Sequence, residues 1–431
     1  MANDATIRDI LCRRVWDSRG RPTVEAEVVL ADGARGRAIA PSGASRGKRE
    51  AIELRDHDAA FGGQGVGKAL AAIRDEIRPA LLGLRADDQA IIDARLIELD
   101  GTPQKARLGG NALIAVSMAV AHAAAVSAGM PLWRYLAQGN LVQLPMPMVQ
   151  LFGGGAHAGN RIDLQDFLVI PLGAHSFDEA MAMVAEVYRA GGALMSELGL
   201  LAGVADEGGW WPAFSSNEEA LDRAVQAIER AKFRPGVDVG IAIDVAASQF
   251  YDNGRYRLAT DREELSTEAL VDRLAEWCGR YPIVSIEDPV AEDDDEGMRL
   301  ITARVGDRVQ IIGDDYLVTS AARVNAAAAT GACNAALIKP NQAGTLTETR
   351  AAFDAARAVN WKTVISARSG ESEDVTIVHL AVGWQADQLK VGSFARSERM
   401  AKWNEGIRIE EALGAQTQFA GRRAVGGLRK L

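Results

Sequence analysis

The chain has 431 residues, 48% hydrophobic and 25% charged, with a net charge of −10. That length exceeds one small core and points to a large domain with a smaller companion. The negative balance argues against general affinity for nucleic acid or anionic membranes, which favour a basic surface, yet leaves room for an anionic substrate met by a local cluster of cations. Cys12, Cys278 and Cys333 are far apart and lack metal-ligand spacing, as expected of core thiols in a reducing compartment.

The opening MANDATIRDI has no positive region followed by an apolar run, so no signal peptide is expected and the chain reads as cytoplasmic. Residues 5–40 read as β-structure. Val24, Ala26, Val28 and Leu30 alternate on one face, and Asp32-Gly33 supplies a hairpin turn. From about Ala51 to Leu136 apolar residues recur at helical spacing. The alanine-rich stretch Ala112 to Met130 is long enough for a membrane span, but its small residues suit a closely packed buried helix closed by Gly129-Met130-Pro131. A sheet followed by helices makes residues 1–138 a small α+β domain, and residues 139–431 a second domain.

Beyond Pro145, apolar runs alternate with amphipathic helical stretches: DLQDFLVIP, VGIAIDVAA, YPIVSIEDPV, VQIIGDDYLV, NAALIKPNQ, KTVISARSG and LKVGSFARS. Such runs are what a parallel sheet buried on both faces requires. Six end in Asp244, Glu287, Asp314, Lys339, Arg368 and Lys390. The intervals are near the roughly 30 residues of a barrel unit, and a charge at each strand's C-terminal end is how a (β/α) barrel builds a site. A doubly wound sheet would need a glycine-rich phosphate turn, and none follows an early strand.

Three carboxylates converging at a barrel mouth repel one another unless a proton or a cation intervenes. Asp244, Glu287 and Asp314 therefore predict a hard divalent ion, with Mg²⁺ favoured by oxygen ligands. Lys339 and Lys390 end buried strands, where burial and nearby cations lower an amine's pKa toward that of a general base. Arg368 offers a donor fork for phosphate or carboxylate, with Ser369 beside it; an internal ion pair is the other reading. Glu207, in DEGG, is a candidate general acid or base on a loop. PSGASRG (Pro41 to Gly47) and FGGGAHAGN (Phe152 to Asn160), the latter carrying His157, read as lids or long connections.

Taken together, these blocks resemble the enolase family along nearly the whole chain: DSRGRPTVE, PSGASRG, LGGNALIAVSMAVA, GGAHAGN, DEGG, IDVAAS, SIEDP, GDD, LIKPNQAGTLTET, SARSGESED and ARSERMAKWNEGIRIEEAL. The resemblance implies a capping α+β domain on a modified (β/α)8 barrel with an irregular ββαα start. It also implies homodimers or higher oligomers, two Mg²⁺ per site and dehydration of 2-phosphoglycerate to phosphoenolpyruvate. Carried over by motif, Asp244, Glu287 and Asp314 hold the first Mg²⁺ and Ser45 helps bind the second. Lys339 takes the C2 proton, Glu207 protonates the C3 hydroxyl, Arg368 and Ser369 hold phosphate, and Lys390 meets the carboxylate. Opposing pKa shifts are expected of Lys339 and Glu207.

The departures cluster at the site. Where the family has S-H-R-S-G, this chain has Ala367 in place of the histidine. Asp166 replaces the glutamate of Q-E-F, with His157 nearby as a further substrate contact, and the first lid reads Ser45-Arg46-Gly47-Lys48 rather than S-T-G. Arg161 adds a cation beside the second lid. A missing imidazole and the extra charge of Arg46, Lys48 and Arg161 suit a bulkier, more anionic substrate, as in the enolase-related carboxyphosphonoenolpyruvate synthases of phosphinate biosynthesis. The alternatives are a glycolytic enolase and a non-catalytic enolase-like binding protein.

Overall fold

A computed structural model describes residues 4–426. Met1–Asn3, within the segment read for a signal peptide, and the last five residues lie outside it. Three antiparallel strands, β1 (Ile7–Trp16), β2 (Pro22–Leu30) and β3 (Arg35–Ile39), open the chain. The β2–β3 turn falls at Asp32-Gly33 as expected: Gly33 takes φ +89° and the Ala34 amide donates to Asp32 Oδ1 at 2.9 Å. Helices 67–81, Gln89–Asp100, Gly110–Ser127 and Leu132–Ala137 follow.

Gly110–Ser127 is long and apolar enough to cross a membrane by length and composition, but 89% of it is buried. It packs on β2 and β3, and small residues set that distance. At Gly36 in β3 a Cβ would lie 2.0 Å from the Ala123 amide nitrogen and 2.3 Å from the Ala119 carbonyl. Neither backbone atom can step aside. Gly36→Ala is therefore expected to cost about 1–3 kcal/mol, read as a lower thermal midpoint; an unchanged midpoint would contradict this packing.

The barrel begins with β4 (Met146–Gly153) and β5 (Asp166–Ile170), then helices Phe177–Glu197 and Asn217–Arg230, then β6 (Gly240–Asp244). A small meander, β7 (Tyr251–Asp252), β8 (Arg255–Leu258) and β9 (Glu263–Leu265), interrupts the sequence. Alternating helices then separate β10 (Ile283–Glu287), β11 (Gln310–Gly313), β12 (Ala335–Ile338), β13 (Lys362–Ser366) and β14 (Gln388–Gly392). The eight strands β4–β6 and β10–β14 close into a barrel.

Two features depart from the strand reading of the residues. Barrel strand β4 went unrecognised, because Pro145 precedes it, Pro147 lies within it and no charged side chain ends it. And β5 runs antiparallel to both β4 and β6, so the sheet is not wholly parallel. This is the ββαα start implied by the family resemblance. Inside, Met146, Met148, Leu168, Ile170, Val284, Ile312, Leu337 and Val364 form an apolar layer, capped by Ala420, Ala424 and Val425. The charges thus collect at the opposite mouth.

Candidate active site

Strand register brings the acids together. Asp244 at the end of β6 pairs with Glu287 at the end of β10 and with Asp166 at the start of β5. Lys390 of β14 reaches across them: its Nζ donates to Asp244 Oδ2 at 2.8 Å and Glu287 Oε2 at 2.7 Å, and lies 3.6 Å from Asp166 Oδ2. Gln165 Nε2 donates to the same Asp244 oxygen at 3.0 Å. One residue beyond β11, Asp314 is ion-paired to Lys339, which stands one residue beyond β12; Gln342 Nε2 donates to its other oxygen at 2.8 Å. All six charged groups are buried.

The electrostatics follow from that burial. Desolvation and the neighbouring Asp244 push Glu287 well above the usual carboxylate range. Burial alone would raise Asp314 too, but Lys339 outweighs it and holds the carboxyl down. The lysine shifts correct an expectation. Burial works to lower Lys339, yet Asp314 more than offsets it and the net shift is upward; Lys390 is driven up in the same way by Asp244 and Glu287. To act as a base, Lys339 would need Asp314 to engage something other than its ammonium group.

Do these residues fit a divalent cation? Glu287 Oε1 is buried and accepts no hydrogen bond among the described residues; Asp166 Oδ2 also accepts none, although Lys390 Nζ lies 3.6 Å away. A buried anionic oxygen without a donor is costly and suits a hard cation. The carboxylate set fits Mg²⁺.

Arg368, two residues past β13, makes the internal ion pair that was one of its two sequence readings. Its Nη1 donates to Glu50 Oε2 at 2.9 Å and Asn341 Oδ1 at 3.1 Å; its Nη2 donates to the Ser45 carbonyl at 2.8 Å and Glu50 Oε1 at 3.2 Å. Burial would lower its pKa, but Glu50 reverses the shift. The internal ion pair is thus real, and it sits at the cleft. Ser45, His157, Asp166, Glu207, Lys339, Ala367, Arg368, Ser369 and Lys390 all line that one tight cleft at the barrel mouth. His157 Nδ1 lies 3.6 Å from Glu207 Oε1 and 3.7 Å from Asp166 Oδ1. Burial disfavours the imidazolium, but those two acids outweigh it and its pKa rises. The Asp166 pKa is held down to about 2 despite burial, because His157 and Lys390 prevail.

The first lid lies closed on the barrel. Ser42 and Gly370 exchange amide hydrogen bonds at 2.9 and 2.8 Å, and the Ala44 amide donates to Ser369 Oγ at 2.8 Å. The extra cations do less at the mouth than the sequence suggested. Lys48 Nζ pairs with Asp293 at 2.7 Å, and the Arg161 guanidinium stacks on Trp211 at 4.2 Å. Arg46 is exposed and makes no hydrogen bond or ion pair among the described residues; its charge acts on Glu53.

Several supporting residues escaped sequence reasoning. Glu50 is seated by the Gly47 amide at 2.9 Å and grips Arg368 from 318 positions away. Asp288 accepts the amides of Asp314 and Asp315, each at 2.8 Å, fixing the turn that carries Asp314. Only a short acidic motif hinted at the second, and nothing local at the first.

Comparison with known proteins agrees with this geometry. Residues 7–136 match the family model "Enolase, N-terminal domain" and residues 141–427 match "Enolase, C-terminal TIM barrel domain". The chain is 49% identical over 416 residues to a Desulfitobacterium hafniense (strain Y51) protein named "Enolase 1", covering 96% of this chain and 95% of that one. With both domains matched and this relative aligned almost end to end, the chain belongs to the enolase family and is an enolase-type lyase.

Proposed function

We propose that this enzyme removes the C2 proton of 2-phosphoglycerate or a close analogue and expels the C3 hydroxyl. The carrying observation is that Lys339, Glu207, Arg368, Ser369 and Lys390 line a single cleft over the Asp244–Glu287–Asp314 floor. Lys339 Nζ takes the C2 proton once its pair with Asp314 is released. Glu207 gives a proton to the departing hydroxyl, and lies beside His157. Arg368 and Ser369 grip the phosphate, while Lys390 meets the negative charge that grows on the substrate carboxylate. Asp244, Glu287 and Asp314 would hold one Mg²⁺, with Ser45 at a second, supplying Lewis-acid charge neutralisation at that carboxylate. Family membership further supports a homodimer in the cytoplasm.

One observation favours a second reading of the substrate. Ala367 lines the cleft beside Arg368 with only a methyl group, where the family pattern has an imidazole. The smaller side chain suits a larger phosphorus group, as in carboxyphosphonoenolpyruvate synthase chemistry, where phosphonoformate joins a three-carbon phospho acid. Incubating the enzyme and Mg²⁺ with 2-phosphoglycerate, with and without phosphonoformate, and following phosphorus NMR separates the two. Phosphoenolpyruvate formed at near-normal turnover favours an enolase proper; a new phosphonate resonance formed only with phosphonoformate favours the specialised enzyme. Neither product would sink both readings.

A further inference from the structure

We propose that Arg19, in the turn after β1, is a positioning residue that turns the Ser369 hydroxyl into a dedicated donor for the substrate's phosphoryl or phosphonyl oxygen. This rests on the phosphate-gripping role given to Ser369 above. Arg19 Nη1 donates to Ser369 Oγ at 3.2 Å across 350 residues of sequence, and the Ala44 amide donates to the same oxygen at 2.8 Å. A serine hydroxyl has two acceptor lone pairs and one proton. Both lone pairs are therefore filled, and among the described residues no acceptor takes the proton. Ser369 lines the cleft next to Arg368, so the acceptor its proton lacks is one that a bound anion brings.

The surroundings hold Arg19 for this purpose. Its side chain is 5% exposed, and Nη2 donates to the Ser42 carbonyl at 3.0 Å, to Ser42 Oγ at 3.2 Å and to Asp17 Oδ2 at 3.4 Å. Asp17 Oδ1 accepts the amides of Arg19 and Arg21 at 2.8 and 2.9 Å, fixing the turn. At Gly370 a Cβ would lie 2.6 Å from Arg19 Nη2 and 2.5 Å from Asp17 Oδ2, so the guanidinium reaches Ser369 only because that position is glycine. Arg19 Nε, meanwhile, is buried with no partner. Ala44 belongs to the first lid, so the donor is fully set only when that lid is closed.

A double-mutant cycle in ligand affinity tests the inference on the Mg²⁺-loaded full chain, with 2-phosphoglycerate and inorganic phosphate as probes. Ser369→Ala and Arg19→Met are each expected to weaken binding about 10-fold. The double variant should bind no more weakly than Ser369→Ala alone. Equal losses from Arg19→Met with and without the hydroxyl would overturn the inference while leaving the phosphate grip standing, as would no loss from Arg19→Met. An unchanged affinity in Ser369→Ala would overturn the grip itself, and the inference with it. Should Arg19→Met fail to fold, Arg19→Lys runs the same cycle: it retains the charge without the fork, and its smaller loss should also vanish in the Ser369→Ala background.

Discussion

Replacing Lys339 with alanine is expected to lower turnover about 10²–10⁴-fold and to abolish exchange of the substrate's C2 proton with solvent. Lys339 is the buried amine at the end of β12, with Nζ in the cleft and held against Asp314. Glu207→Gln should separate the two proton transfers. It removes the proposed acid but leaves the proposed base, so C2 exchange should persist while dehydration falls. If Lys339→Ala kept exchange and Glu207→Gln lost it, the two roles would be reversed.

Glu287→Gln has the second large expected effect. The substitution removes one anionic oxygen that has no donor and another that receives Lys390 at 2.7 Å. Loss of a ligand should weaken Mg²⁺ binding by at least the roughly 10–100-fold that disturbing an outer-shell partner costs. Stability without metal should move the other way. Glu287 is raised well above its ordinary pKa, so the folded state binds this proton more tightly than the unfolded chain does. That carboxyl thus lowers stability as pH rises from the ordinary glutamate range through its folded pKa. A neutral glutamine mimics the protonated form, and the metal-free thermal midpoint at neutral pH should hold or rise. Calorimetric Mg²⁺ titration alongside thermal unfolding checks both halves. Unchanged Mg²⁺ affinity would remove Glu287 from the ligand set.

Much of this was legible because a barrel writes its site at regular places. An apolar run ending in a charge marked β6, β10, β12 and β14, and the Asp244–Glu287 adjacency follows from ordinary parallel register. Strand direction was not legible from the apolar pattern. Asp166–Ile170 is buried at every position, a pattern that reads the same parallel or antiparallel. Nor was β4, which lacks a terminal charge. Pairings across hundreds of residues, such as Glu50 with Arg368 and Arg19 with Ser369, leave no local trace at all. The direction of the Lys339 shift was missed for a related reason. Sequence shows which cations and acids exist, whereas the sign depends on the contact with Asp314.

The most direct measurement is proton NMR of 2-phosphoglycerate in D₂O with the wild-type enzyme and saturating Mg²⁺. Chemistry that begins with Lys339 removing the C2 proton predicts loss of the C2 proton signal with time, whether or not phosphoenolpyruvate accumulates. A C2 signal that persists undiminished, from folded enzyme with bound Mg²⁺, would contradict it.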